Sequence, residues 1–268
     1  MDIFKFFRDI FNKVYKKLKK REFWVFLYIL LRFSRSRRYH PIFNKKIYKF
    51  RFNLPDAPSF VYQFKEIFFD QIYKFKTQKN NPLIIDCGAN IGTSVIYFKT
   101  IYPNSKIIAY EADAFIFDFF KKNLEINKIK DVEIFNKAVW NNSDGVFFLS
   151  DGADGGAIKN SGKKVESIRL KDVLEVHEEI DMLKIDIEGA ELVVLEDCRN
   201  SLSSIKNLFI EYHSFNGEKQ KLSEILNIIE KNNFRYFIET VTKNNSPFLN
   251  IKKNEPMDLQ LNIYCWKN

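Results

Sequence analysis

A chain of 268 residues with 46% hydrophobic and 29% charged residues holds enough apolar material for one α/β domain and an extension, and this balance excludes disorder as the default state. Its net charge of +9 is lopsided: residues 1–53 hold 16 Lys and Arg against 3 Asp and Glu, a local +13 that leaves −4 for the other 215 residues. The basic segment therefore reads as an attachment surface for a polyanion, anionic lipid or nucleic acid, whereas the main domain carries no nucleic-acid footprint and no nucleic-acid partner is expected.

Residues 2–20 place Phe4, Phe7, Ile10, Phe11, Val14, Tyr15 and Leu18 at spacings of three and four with basic residues between them, which predicts an amphipathic helix. A second apolar helical stretch follows. Its longest run, Phe23 to Leu31, has nine residues where a spanning helix needs about 20. The basic stretch Arg32 to Arg38 after it does not look like a cleavage site, so no leader peptide is expected. Ser34 to about Arg51 reads as an irregular basic linker. Asp56-Ala-Pro-Ser59 reads as a helix start, with the periodicity to continue from Phe60 to Lys76.

From Pro82 onward the pattern alternates between short β-rich runs and helical ones, the mark of a parallel sheet with crossover helices. Seven strands are expected, at residues 83–86, 106–111, 132–138, 182–187, 208–213, 234–240 and 259–266. Helices are expected near 92–102, 114–127, 189–204 and 219–232. Residues 145–149 and 163–170 read as strands flanking the glycine-rich loop Asp151 to Gly156, a hairpin-like insertion. Cys87, Cys198 and Cys265 form no C-x-x-C pair, so neither a disulfide framework nor a zinc site is expected and a reducing cytoplasm fits.

The strand Leu83-Ile-Ile-Asp86 runs through Cys87-Gly-Ala-Asn-Ile-Gly92 into a helix. Gly88 and Gly92 let the backbone turn tightly beside a ligand, and the helix start presents free N–H groups. The D-x-G-x-x-x-G spacing is neither that of a dinucleotide fold nor that of a P-loop. An acidic strand end suits a cofactor that brings a zwitterionic amino acid and a sulfonium, so Asp86 is expected at the methionine end of S-adenosylmethionine. Ala89, Asn90, Thr93 and Ser94 complete that loop. Glu111, 19 residues after Gly92, is placed to accept both ribose hydroxyls. Ala112 lies beside it, and Asn136 with Ala138 is expected along the adenine.

Five blocks carry a resemblance: Ile85 to Gly92, Tyr110-Glu-Ala-Asp113, Asn136-Lys-Ala-Val139, Leu183-Lys-Ile-Asp-Ile-Glu-Gly-Ala-Glu-Leu192 and Ile210-Glu-Tyr-His213. Together they resemble the FkbM family of methyltransferases over roughly residues 82–213. The resemblance implies a doubly wound, Rossmann-like sheet and O-methylation of hydroxyls on sugars, glycolipids or polyketide-type products. Cys87 departs from the Val or Ile common there, and the first 80 residues are not explained by the family. On this reading residues 1–53 are a basic helical extension and 54–268 the methyltransferase domain.

Asp186 and Glu188 end one strand, Glu211 and His213 a neighbouring one, so four polar groups are expected near the sulfonium. Asp186, also counted among the cofactor contacts, and His213 are alternative bases for the acceptor proton. Glu188 has the alternative role of capping the next helix, and Glu211 that of pairing with Lys184. No metal is expected, although these groups have the chemistry to hold a divalent one. His177 and His40 read as structural or solvated. For the basic N-terminus the alternatives are an anionic membrane surface, which would suit a lipid-linked glycan acceptor at the inner membrane face, and packing on the domain or on a second copy. Acceptors in another class, or a non-catalytic tethered module, are the rival readings.

Overall fold

The computed structural model describes residues 15, 16, 18–153, 155–241, 245–249 and 257–267. The amphipathic pattern of residues 2–20 lies almost wholly outside these, as does Asp154 of the glycine-rich loop.

Helix α1 (Arg21–Phe33) turns Ile29 and Phe33 into the core and leaves Trp24, Tyr28 and Leu31 exposed. The segment expected to be an irregular linker is instead an antiparallel hairpin, β1 (Ile42–Ile47) and β2 (Phe50–Leu54). The register shifts between Ile42 and Lys45, which breaks the period-two pattern that would have marked a strand. Ile47, Phe52 and Leu54 are buried in the main core. A boundary between residues 53 and 54 therefore falls inside β2.

Helix α2 (Ala57–Phe64) begins where its sequence indicates: the Asp56 carboxylate accepts the Ser59 N–H, and proline occupies the first turn. It does not run on to Lys76. A π-helical turn, Lys65–Asp70, follows and stops at Gln71 with φ of 60°.

The strands then come in chain order with their crossover helices. They are β3 (Leu83–Cys87), α3 (Thr93–Ile101), β4 (Lys106–Tyr110), α4 (Ala114–Ile126) and β5 (Val132–Phe135). After β6 (Ala138–Trp140) come β7 (Val146–Leu149), β8 (Ala157–Ile158), β9 (Lys163–Val165) and β10 (Ser167–Arg169). The chain ends with α5 (Leu170–Glu175), β11 (Ile180–Ile185), α6 (Glu191–Cys198), β12 (Ile205–Phe215), α7 (Leu222–Lys231), β13 (Arg235–Thr240) and β14 (Met257–Trp266).

Seven strands make one sheet in the order β13-β14-β12-β11-β3-β4-β5, with β14 antiparallel to both neighbours and the rest parallel. This is the doubly wound, Rossmann-like sheet the sequence indicates. The run expected as one strand over 132–138 is divided, because β6 leaves the sheet and pairs with β10. The insertion is a three-stranded antiparallel sheet, β8-β7-β9, rather than a simple hairpin.

Alternate residues of each central strand feed opposite cores. Ile84, Ile107, Ala109 and Phe209 face α1, the hairpin, α2, α3 and α4. Ile85, Leu183, Ile185 and Ile210 face α5, α6 and α7. Side-chain amides close the seam between the N-terminal hairpin and the sheet: Asn123 of α4 accepts the Asn53 N–H at 2.6 Å and donates to the carbonyls of Asn53 (3.1 Å) and Ile91 (3.0 Å). The three cysteines are buried and free. Among the described residues no helix is long and apolar enough to cross a membrane.

Candidate functional site

The chain switches direction in the sheet between β3 and β11, which leaves a crevice at their carboxyl ends. A cavity of about 700 Å³ opens there, walled by the loops after β3, β4 and β11, by β6, by the insertion and by α2 with its π-helical turn. That volume lies in the ~300–1,000 Å³ range of ligand sites.

The β3 loop is built around close approach. Gly88 has φ of 86°, and a side-chain carbon there would stand 1.8 Å from the Asp186 carbonyl oxygen. Gly92, at φ of 82°, is pressed against the Phe120 ring, so it serves packing and does not line the cavity. Asn90 also has positive φ, 50°, and its N–H donates to Glu111 Oε2 at 2.8 Å. The other Glu111 oxygen accepts the Asp113 N–H at 2.8 Å. Glu111 thus clamps two loops and still faces the cavity. Burial pushes its carboxyl up to about 7, against the lowering effect of these two N–H groups.

Ala89, Thr93, Ser94, Ala112 and Ala138 line the cavity with Asn90 and Glu111. Asn136 does not. Its amide donates to the carbonyls of Glu111 (2.9 Å) and Ala112 (3.1 Å), holding the β4 loop. Lys137 and Val139 line the wall in its place.

Asp86 is fully buried, takes the Ser94 hydroxyl at 2.5 Å and stands 3.2 Å from Lys184 Nζ. Lys184 also pairs with Asp186 at 3.2 Å and donates to the Gly88 carbonyl at 2.8 Å. Burial alone would lower its proton affinity, but Asp186 and Asp86 together raise it well above the usual value. Lys184 is therefore a fixed cation between two carboxylates, as an ion-pair role requires, but its partners are these two aspartates and not Glu211.

Asp186, Glu188 and Glu211 reach the cavity wall. His213 is buried behind them: its Nδ1 lies 3.0 Å from Glu191 Oε1, and its Nε2 lies 3.7 Å from Glu188 and 3.8 Å from Glu211. Burial would lower the imidazole, yet the Glu191 hydrogen bond and the surrounding carboxylates raise it to about 10. Glu211, pushed well up by burial and by Asp186, accepts the Gln260 side-chain N–H.

Glu188 does not cap the following helix. Glu191 does not either: its Oε1 takes the N–H groups of Gly189 (3.0 Å) and Ile187 (3.3 Å), which precede the helix, and so ties down the loop before it. Glu188 itself sits at φ of 54°, a strained setting for a non-glycine residue that aims its carboxylate inward.

Four further wall residues carry no motif. Glu66 comes from the π-helical turn, and burial pushes it up to about 7. Tyr73 lies under Lys184 at 5.7 Å. Gln260 stands opposite His213 in the β12–β14 ladder, and Met257 lies on the same strand. A polar residue between Leu259 and Leu261 was the sequence's only trace of Gln260. The insertion closes the cavity beside the β3 and β4 loops: Ala153 accepts from the Asn90 amide at 3.2 Å, and the Ser150 hydroxyl donates to Asp113.

The family model for the methyltransferase FkbM domain matches residues 86–236. The methyltransferase sdnD of Sordaria araneosa is 29% identical over 206 residues, 61% of this chain and 78% of its own length. Methyltransferase 1 of Beauveria bassiana is 36% identical over 69 residues, 26% of this chain and 28% of its own. Among solved structures, the methyltransferase FkbM of Methylobacillus flagellatus is 17% identical, with a TM-score of 0.45 over 71% of this chain and 45% of its own.

Proposed function

The chain belongs to the methyltransferase FkbM domain family and is an S-adenosylmethionine-dependent methyltransferase, and from that premise we propose that it methylates a hydroxyl of a sugar, glycan or glycolipid. The observation that carries this reading is the make-up of the far end of the cavity. Glu66, Glu188, Glu211 and Gln260 offer several hydrogen-bond acceptors at one end of it, which suits a polyhydroxylated ligand.

The residues present fit the cofactor. Glu111 offers carboxylate oxygens to the ribose, and Ala138 and Val139 line the adenine side. The Asp86–Lys184–Asp186 chain gives the methionine ammonium and carboxylate a charged floor. When bound, S-adenosylmethionine supplies the methyl group. The chain's own residues must align the acceptor oxygen with it and receive the proton that the hydroxyl loses. Asp186 is the base in this reading, because it lines the cavity whereas His213 does not. Glu191 holds the His213 ring at 3.0 Å, behind Glu211 and Glu188.

The exposed stripe Trp24, Tyr28 and Leu31, opposite the buried Ile29 and Phe33, supports a peripheral position on an anionic membrane. A lipid-linked glycan would be met there. Trp24→Ser with Leu31→Ser is expected to weaken sedimentation with anionic vesicles and to leave S-adenosylhomocysteine binding unchanged. Deleting residues 1–53 is not a fair test, since Ile29, Phe33, Ile47 and Phe52 belong to the core.

The acceptor class is tested with methyl-labelled S-adenosylmethionine and a panel of sugars, glycolipids and amines. Label in alkali-stable ethers on the sugars supports the proposal. Label only in amines or alkali-labile esters overturns it.

A further inference from the structure

We infer that Asp186, Glu211 and His213 form a binding site for a divalent cation at the acceptor end of the cavity; the ion's role, though not its binding, rests on the methyl-transfer reading. One ligand atom from each of the three residues lies within 4.8 Å of the others. Ligands held at about 2.0–2.3 Å around one ion span distances of this order. The residues come from the ends of β11 and β12, which are hydrogen-bonded neighbours, so the sheet itself fixes their spacing.

Two carboxylates alone would carry little, but His213 supplies an independent observation. Its side chain is 1% exposed. Nδ1 faces Glu191 at 3.0 Å, and that carboxylate is itself held by the Gly189 and Ile187 N–H groups. A buried carboxylate on the remote nitrogen is the arrangement that orients a metal-binding imidazole and fixes its tautomer. Nε2 is thereby turned toward Glu211 at 3.8 Å and Glu188 at 3.7 Å, beyond hydrogen-bond distance of either. A divalent ion bound there would displace the proton from Nε2.

Asp186 meets Lys184 on one side and faces Glu211 and His213 on the other. One imidazole nitrogen with two carboxylate oxygens is a mixed donor set that suits Mn²⁺ or Zn²⁺. Three protein ligands leave positions open toward the cavity. An acceptor oxygen bound there would be fixed and made more acidic, which lowers the proton affinity demanded of Asp186.

The test uses the full chain, stripped with a chelator. Mn²⁺ is titrated by paramagnetic resonance and Zn²⁺ by calorimetry, with and without saturating S-adenosylhomocysteine. One site per chain is expected. Glu211→Gln and His213→Gln should each weaken it at least about 10-fold, and Glu191→Gln about 10- to 100-fold, with S-adenosylhomocysteine affinity kept in all three. If neither ion binds while the nucleoside does, or if the variants bind as well as the parent, the ion site is overturned. If the ions bind and the nucleoside does not, the site stands and the methyltransferase reading falls.

Discussion

Between the N-terminal elements and α3, aromatic rings pack in a chain: Phe52 on Phe60 at 4.8 Å, Phe64 on Phe68 at 5.0 Å, and Phe68 on Tyr97 at 5.4 Å. At the carboxyl ends of β3, β11 and β12 the groups are carboxylates, a lysine and an imidazole, paired as Asp86–Lys184–Asp186 and as His213–Glu191. The aromatic region gains stability in proportion to area and contact, so a lost ring costs its own burial and the cavity it leaves. In the charged region each member is buried at a loss unless its partner is present, so removing one strands another. The first region stabilises the domain; the second lines the cavity with charge.

The sharpest way to separate the regions is Asp186→Asn. Its transfer rate should fall by about 10²- to 10⁴-fold, while S-adenosylhomocysteine affinity changes by less than about 10-fold, measured by single-turnover kinetics and calorimetry. Full turnover in this variant would reduce Asp186 to a structural member of the ion-pair chain.

Lys184→Met and Phe52→Ala form the next comparison. Each should cost about 3–5 kcal/mol in urea denaturation, the first by stranding Asp86 and Asp186 and the second by leaving a cavity. Only Lys184→Met should also lose cofactor binding at concentrations where the protein remains folded. Equal loss of binding in both would erase the division between the regions.

A smaller effect is expected at Glu111. Glu111→Gln should weaken S-adenosylhomocysteine by about 10-fold or more, because a charged acceptor is replaced by a neutral one. Its carboxyl is raised to about 7, so the charged form is present above that pH and lost below it. Affinity should therefore rise as pH climbs through about 7 and be flat in Glu111→Gln. A pH profile that is the same in both proteins would remove Glu111 from the ribose site.

The part of the cavity walled by the loops after β3 and β4 was legible because each piece sits in one short strand–loop–helix stretch. Asp86 to Ser94 and Glu111 to Asp113 can be read without knowing what they touch. The part walled by β12, β14 and the π-helical turn was not, because it is assembled across the chain. Gln260 meets Glu211 through an antiparallel pairing, Glu66 arrives on a π-helical turn whose period no helical pattern reveals, and Glu191 was visible as a motif letter but not as the partner of His213. The β1–β2 hairpin was hidden for another reason. Its outward residues mix Phe43 and Asn44 with the basic Lys46 and Arg51, and its register shift breaks the alternation that would have marked the strand.

The most direct measurement is calorimetric titration of the full chain with S-adenosylhomocysteine and, separately, with NADH. The site described predicts one molecule of S-adenosylhomocysteine per chain with a dissociation constant near 1 μM, about −8 kcal/mol, and no NADH binding. Binding of NADH in its place, or of neither, would contradict the account.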